Sequence, residues 1–310
     1  MQFPIIFALA VILDLAAGEI NFFPHPVKII GKLINFLQEK LFDLHSFICG
    51  LAVCVITIFA AGLAVCLVLY FSGCNCVIQI YLLYAALSWR DLKDETRPVL
   101  FCLMNNDLEG ARKFLSRVVG RDTKNLSEVE IIRALIETIS ENSIDGIFSV
   151  MFFAVLGYCV NDSYGAYIFV WIFKAASTLD SMIGYKTFHE FGKAGAKLDD
   201  TLNFFPARVG GLIIIIAGGL KIRALKIFIR DRLKHSSPNS AHGESSFAGV
   251  LDVKLGGGAF YQDKFISRPF INESARDPEI FDVIRAWNLL DASSALFAFI
   301  VIFLACIIFC

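Results

Sequence analysis

Residues Phe47–Phe71 read FICGLAVCVITIFAAGLAVCLVLYF, about 25 residues without Asp, Glu, Lys or Arg. As a helix this run outreaches the ~30 Å hydrocarbon core of a bilayer, so it is read as a membrane span. The whole chain agrees: of 310 residues, 56% are hydrophobic and only 18% charged, with a mean hydropathy of +0.65. A soluble globular chain carries about 25% charged residues, so the expected class is an all-α, polytopic helical membrane protein in contact with the lipid bilayer. A formal net charge of −1 gives no basic footprint for a nucleic-acid partner.

Toward the N-terminus, Phe3–Ala17 is apolar, carries Asp14 and lacks the positive n-region of a signal peptide, so an uncleaved first span is expected. Pro24-His25-Pro26 then predicts a rigid turn. An interfacial amphipathic helix follows over Val27–Leu44, where Lys28, Lys32 and Lys40 alternate with Ile29, Ile30, Leu33, Phe36 and Leu37. Toward the C-terminus, Gly73-Cys74-Asn75 turns the chain into a return helix over Val77–Trp89 that extends past Arg90. Asp91–Ser140 is polar, with a helix over Asp107–Val119. A second helix over Glu128–Asn142 starts on the Ser127/Glu130 capping box and carries Arg133, Glu137 and Glu141 on one face.

Ile147–Val160 and Tyr164–Ala176 read as an apolar hairpin around Asn161-Asp162-Ser163, and Trp287–Cys310 as the last span. Between them, Val209–Leu220 is too short to cross easily and has basic flanks on both sides, which predicts a re-entrant or interfacial segment. Lys221–Lys234 reads as a basic amphipathic helix, and His235–Ile284 as a Gly/Ser-rich polar region. Lysine and arginine collect in Gly18–Ser46, 90–140 and 185–285 and avoid the turns at 72–76 and 161–163. That asymmetry predicts about five spans, the N-terminus outside, and the polar segments gathered on the cytoplasmic side of one membrane domain over 1–310.

Nine cysteines suggest neither a zinc site nor a disulfide framework. Most stand singly in apolar runs, where cysteine packs as a small hydrophobe, and Cys74/Cys76 has no second pair to complete a tetrahedral set.

The chemistry concentrates in Lys174–Arg208, KAASTLDSMIGYKTFHEFGKAGAKLDDTLNFFPAR, which leaves its apolar helix at Asp180. Ionisable groups so dense at a membrane boundary need something to offset their desolvation, and a functional site supplies it. Asp199-Asp200, with Asn203 four residues after Asp199, is a candidate Mg²⁺ anchor, because magnesium takes one or two carboxylates plus substrate phosphates. Arg208 offers a bidentate fork for a phosphate or carboxylate. Lys174 admits two readings, a snorkelling side chain or a phosphate contact. Upstream, Glu141 and Asp145 lie one helical turn apart; they can share a cation, hold basic groups, or in Glu141's case pair with Arg133 through Glu137. Ser236–Ser240 and Leu255–Gly258 can offer backbone N–H groups to an anion but match no nucleotide motif, and by spacing alone they read as linkers. His25, between prolines, reads as a turn residue. A phosphorylated or polycarboxylate substrate suits this set.

Together these pieces resemble the membrane-bound adenosylcobinamide-phosphate synthases of cobalamin biosynthesis. The resemblance is carried, in order, by Asp14-Leu15, Gly18-Glu19, His25-Pro26-Val27, Arg121-Asp122-Thr123 and Glu141-Asn142-Ser143-Ile144-Asp145-Gly146. It continues through Thr178-Leu179-Asp180-Ser181-Met182-Ile183-Gly184-Tyr185-Lys186, Leu198-Asp199-Asp200, Asn203, Pro206-Ala207-Arg208, Ser237-Pro238-Asn239-Ser240, Glu244, Ala248-Gly249 and Leu255-Gly256-Gly257. Two positions depart: Ser177 stands where the family usually has Asn, and Ser149-Val150 where it usually has Ala-Pro.

The resemblance implies an ATP-dependent amide ligation joining aminopropanol or its phosphate to adenosylcobyric acid, with ATP and Mg²⁺ required, on the cytoplasmic face of a bacterial inner membrane. It further implies that Asp199 and Asp200 hold the metal and that Asp180 or Glu141 serves as second carboxylate or base, with Asp145 beside it. Lys174, Lys186 and Arg208 would contact phosphate. Tyr185, Asn203, Ser237, Asn239, Glu244, Gly256 and Gly257 would bind substrate. Other membrane enzymes of the pathway are possible partners. The competing class is a transporter or sensor of the same ancestry; the charges lie mostly in interfacial loops rather than within spans, which favours catalysis.

Overall fold

The computed structural model describes residues 2–19, 25–41, 46–161, 164–184 and 189–308. The expectations placed on Tyr185, Lys186 and the Asp162-Ser163 part of the second turn fall outside them. The protein is helical throughout, as the composition requires: α1 (Gln2–Ala17), α2 (Pro26–Leu41), α3 (Phe47–Phe71), α4 (Cys76–Tyr84), α5 (Trp89–Met104), α6 (Leu108–Leu115), α7 (Glu128–Ser143), α8 (Ser149–Val160), α9 (Gly165–Ile183), α10 (His189–Leu202), α11 (Phe204–Ala217), α12 (Ile222–Asp231), α13 (Ser240–Leu251) and α14 (Ile280–Ile308). Among the described residues, sheet is limited to two antiparallel pairs, β1 (Leu255–Gly256) with β4 (Phe270–Ile271) and β2 (Ala259–Tyr261) with β3 (Lys264–Ile266). In lipid a helix satisfies its own backbone, which is why this composition yields helices and almost nothing else.

Among the described residues, four helices are long and apolar enough to cross a membrane: Phe47–Phe71, Glu128–Val160, Gly165–Ile183 and Ile280–Ile307. A fifth is added if Glu190–Leu202 and Phe204–Ala217 form one broken span. The first expected span falls short: α1 has 16 residues, a reach of ~24 Å. The return helix also differs from expectation. It ends at Tyr84, and a separate α5 starts at Trp89, so the return helix itself does not reach Arg90. The helix expected over Asp107–Val119 is trimmed to α6, with Asp107 as its N-cap accepting the Gly110 N–H.

Glu128–Val160 is continuous. Both halves of the expected capping box form between Ser127 and Glu130. The helix then passes through a π-helical turn, Ile144–Phe148, a distortion frequently found at functional sites.

The chain divides into two compact units, 1–88 with 149–203 and 298–310, and 89–148 with 204–297. In the first, α8 and α9 form the expected hairpin and meet almost backbone to backbone. A Cβ on Gly157 would lie 2.2 Å from the Gly165 carbonyl oxygen, and one on Gly165 would lie 2.0 Å from that of Gly157. Two buried polar side chains here find partners, as a low-dielectric core favours. The Trp171 indole donates to the Leu82 carbonyl (3.1 Å) and the Tyr167 hydroxyl to Gln79 Oε1 (2.9 Å).

In the second unit α13 is the hidden element. The stretch His235–Ile284 reads as Gly/Ser-rich and polar, yet every residue from Ala241 to Leu251 is buried. Ala241, Gly243, Ser245, Ser246, Ala248 and Gly249 keep the helix thin, so its neighbours come close. A Cβ on Gly243 would sit 2.7 Å from the Ser140 carbonyl of α7. The basic amphipathic helix is present as α12 and ends in a fully buried acid, Asp231. That carboxylate is held by Lys234 at 2.9 Å, by a bidentate contact from Arg230, and by the Asn272 N–H at 2.8 Å. Those contacts pull its pKa down to about 2 against the opposing effect of burial.

Candidate functional site

The sequence-predicted site residues fall into two sets, one in each unit. The first unit holds Lys174 and Asp180 on α9, and Asp199, Asp200 and Asn203 on and just after α10. Helix α9 does not end at Asp180; it runs on to Ile183 and is capped at Gly184. Asp180 folds back over that cap, since a Cβ on Gly184 would meet its Oδ1 at 2.0 Å. The Thr178 hydroxyl donates to the Lys174 carbonyl (2.6 Å) and the Ser181 hydroxyl to that of Ser177 (2.9 Å). These hydroxyls are therefore spent on their own helix.

At the end of α10 the i, i+4 spacing is realised as a contact. The buried Asn203 donates from Nδ2 to Asp199 Oδ2 (3.0 Å), and its Oδ1 accepts the Ser149 hydroxyl (2.6 Å). Ser149 is one of the two departures from the resembled pattern. Its hydroxyl orients Asn203, which orients Asp199, so the replacement carries a hydrogen bond that alanine could not make.

His25, read as a turn residue, does serve the turn: its carbonyl accepts the Lys28 N–H at 2.9 Å. The ring is also within the electrostatic reach of Glu19, Lys28 and Lys174. Burial lowers its pKa below the ordinary histidine value, Glu19 opposes, and Lys174 and Lys28 add to the lowering. The lowering favours the neutral imidazole, a proton acceptor, through an influence of Lys174 that sequence spacing did not single out because Lys174 is far away along the chain.

The second unit gathers Glu141, Asp145, Arg208, Ser237, Asn239, Glu244, Gly256 and Gly257. Its centre is an ion pair between Glu137 Oε2 and Arg121, while Glu137 Oε1 accepts the Gly256 N–H (2.7 Å). Arg133 turns to Asp277 (2.7 Å), and Glu141 accepts the Ser240 hydroxyl (3.0 Å). The ladder Arg133–Glu137–Glu141 therefore does not pair along its own helix; each member takes a distant partner. Asp145 sits within the π-helical turn. The Gly256 and Gly257 N–H groups are committed to Glu137 and to the Pro269 carbonyl (3.3 Å), so the expected anion grip of that loop is already filled. Ser237 and Asn239 stabilise their own turn: Ser237 N–H reaches His235 Nδ1 (3.1 Å) and Asn239 N–H reaches Ser237 Oγ (3.2 Å). Arg208 stacks its guanidinium 3.4 Å from the Phe204 ring centre and reaches Asn239 Oδ1 at 3.3 Å.

Glu244 is 5% exposed. Its pKa is raised well above the usual carboxylate value, first by burial and then by Glu137 and Glu141, with Arg121 and Arg268 opposing. Burial and the two neighbouring acids thus favour its protonated form. A cavity of about 10 Å³ opens beside it, lined by Arg121, Glu137, Lys234, His235, Gly256, Gly257 and Arg268 among others. That is room for about one water-sized molecule.

His242 is fully buried and neither ring nitrogen has a hydrogen-bond partner. Phe228 meets it edge-on at 5.6 Å. Burial, then Arg208 and Arg232, lower its pKa to about 4, with only the Asn239 carbonyl opposing. A lowered histidine pKa gives stability that is fully present above the unfolded value near 6.5 and lost as pH falls toward the folded value. Over pH 6.5 to 4 the second unit should therefore lose stability, by up to about 3 kcal/mol from this group. His242→Phe should flatten that slope in a thermal melt followed across the window; an unchanged slope would show that His242 does not contribute to it.

Among the described residues no three His, Cys, Asp or Glu side chains converge as a metal cage. Asp199 and Asp200 nonetheless suit an ion that arrives on a phosphate, since Mg²⁺ then needs only one or two protein carboxylates.

The family model described as CobD/Cbib protein matches residues 7–290. The chain is 37% identical to "Cobalamin biosynthesis protein CobD" of Clostridium perfringens over 96% of both chains. It is 38% identical to the protein of that name from Clostridium tetani, over 86% of this chain and 87% of the relative. "Cobalamin biosynthesis protein CbiB" of Salmonella typhimurium is 34% identical over 93% of each. No solved structure matches.

Proposed function

Because the chain belongs to the CobD/CbiB family, we propose that this multi-pass membrane protein works in cobalamin biosynthesis as an ATP-dependent ligase. It joins aminopropanol, or aminopropanol phosphate, to a propionate carboxylate of adenosylcobyric acid. The observation that carries the reading is the family match over residues 7–290, which takes in every motif that the resemblance rests on.

In the proposed reaction a carboxylate oxygen of the corrinoid attacks the terminal phosphorus of ATP, ADP leaves, and an acyl phosphate forms. The amine nitrogen then attacks the acyl carbon, phosphate leaves, and the amine proton passes to a base. Mg²⁺ would supply neutralisation of the phosphate charge, and Asp199 and Asp200 are the residues to hold it. Asn203, itself fixed by Ser149, holds Asp199 Oδ2 in one orientation; such outer partners keep a ligand carboxylate in place. Lys174, Lys186 and Arg208 would meet phosphate oxygens, where fixed positive charge is most effective in a water-poor site. His25, within the electrostatic reach of Lys174, and Glu244 in the other unit, where burial favours the protonated form, are candidates for moving a proton. The site would face the cytoplasm of a bacterial inner membrane, where ATP is available.

Purified protein given ATP, Mg²⁺, adenosylcobyric acid and aminopropanol phosphate should yield ADP and a corrinoid amide in equal amounts. A preparation that binds the corrinoid yet forms neither product would favour a transporter or sensor instead. Asp199→Ala should lower the rate about 100-fold and raise the Mg²⁺ requirement. Full ligation at an unchanged Mg²⁺ requirement would remove Asp199 from the metal site.

A further inference from the structure

A second opening in the second unit has no part in the scheme above. It is an open cleft of about 460 Å³ between α6 and the loop 121–124, lined by Glu109, Arg112, Lys113, Ser116, Arg121, Asp122, Thr123 and Lys124. Small-molecule sites commonly occupy about 300–1,000 Å³, so the cleft has the size that the inner cavity lacks. We propose that this cleft binds the phosphate chain of a nucleoside triphosphate. The proposal rests on the ATP-dependent reading and gives the nucleotide a place.

Charge is the first argument. Four cationic side chains face two carboxylates there, and one of the two, Asp122, already accepts the Asp263 N–H through Oδ2 at 2.9 Å. Two of the cations have a simpler explanation, because Arg112 and Lys113 lie in the last turn of α6, where positive charge offsets the helix dipole. That does not account for Lys124, which comes from a separate loop and faces the same space; Arg121, from the same loop, is paired with Glu137 on its inner side.

Rigidity is the second argument. The Thr123 hydroxyl donates to the Arg112 carbonyl (3.0 Å), and Arg112 Nε donates to the Leu126 carbonyl (2.9 Å). The loop and the helix are thus fastened to each other, and one guanidinium plane is set before any ligand arrives. Preorganised donors lose less entropy on binding an anion.

Continuity is the third. Arg121 lines both this cleft and the inner cavity that holds Glu137 and Glu244. A phosphate chain lying along Lys113, Lys124 and Arg112 would end at Arg121, where its terminal group competes with Glu137 for the guanidinium.

The test uses the full chain in nanodiscs with fluorescent ATP as the probe and inorganic tripolyphosphate and orthophosphate as competitors. Lys113 and Lys124 are both exposed, so Lys113→Ala and Lys124→Ala should fold normally, and an unchanged melting temperature checks this. Each should weaken ATP and tripolyphosphate binding about tenfold, roughly 1.4 kcal/mol, and Lys113→Glu should weaken it more. Three results would overturn the proposal: affinity that is the same in the double variant, orthophosphate competing as well as tripolyphosphate, or a wild type that binds neither polyphosphate. The two readings fail separately. Lysine-dependent tripolyphosphate binding without ADP or amide formation would remove the ligase and keep the cleft. Ligation with lysine-independent nucleotide affinity would do the reverse.

Discussion

Arg121→Met is expected to destabilise the protein by about 3–5 kcal/mol, the usual result of removing one partner from a buried ion pair. The side chains of Arg121 and Glu137 are 17% and 5% exposed, so water screens the pair little. Without the guanidinium, Glu137 keeps the Gly256 N–H but faces Glu244 with no cation directly against it. The double variant Arg121→Met with Glu137→Met should recover much of the loss, because replacing both partners by apolar groups removes the stranded charge. Recovery should be incomplete, since Gly256 loses its acceptor at a cost of about 1–3 kcal/mol. Melting temperatures of the two single variants and the double, compared as a cycle, measure the coupling. A single variant that melts with the wild type would mean that water reaches Glu137 after all.

A large, purely steric effect is expected at the α8–α9 hairpin. Gly157 and Gly165 each leave no room for a methyl group, with the opposing carbonyl oxygens 2.2 and 2.0 Å from the positions a Cβ would take. A flexible side chain could move aside, but a helix backbone cannot without parting the hairpin. Gly165→Val should therefore cost at least about 3 kcal/mol, the upper end of ordinary overpacking. The protein should be recovered mainly as aggregate on size exclusion. Gly165→Ala, the smallest change, should already lower the melting temperature. If it leaves both properties intact, the two helices are not held together as closely as the glycines indicate.

These two sites show where sequence reading reaches and where it stops. Phe47–Phe71, the Ser127/Glu130 box and the Asp199–Asn203 spacing were legible because each depends on local periodicity. The amphipathic helix starting beside Pro26 was legible for the same reason. The partners of Arg133, Glu137 and Glu141 were not: a four-residue repeat nominates neighbours on the same helix, and the fold gave each a stronger partner from another element. Helix α13 was missed because glycine, serine and alanine carry little hydrophobicity, so a segment buried for its thinness looks like a linker. Asp231 was hidden in a basic amphipathic pattern whose charge gave no sign of a buried acid. Ser149 could be seen only as a departure, since its value lies in a hydrogen bond to a residue 54 positions away.

The carboxyl group of Glu244 also makes its surroundings a charge regulator. Two acids and their cationic neighbours set a balance that a single proton can tip. A positively charged visitor displaces that proton and meets a carboxylate; a negatively charged one leaves it in place and meets a neutral donor beside Arg121. One side chain can therefore answer a neighbouring charge of either sign, without the buried cluster holding a fixed net charge against it.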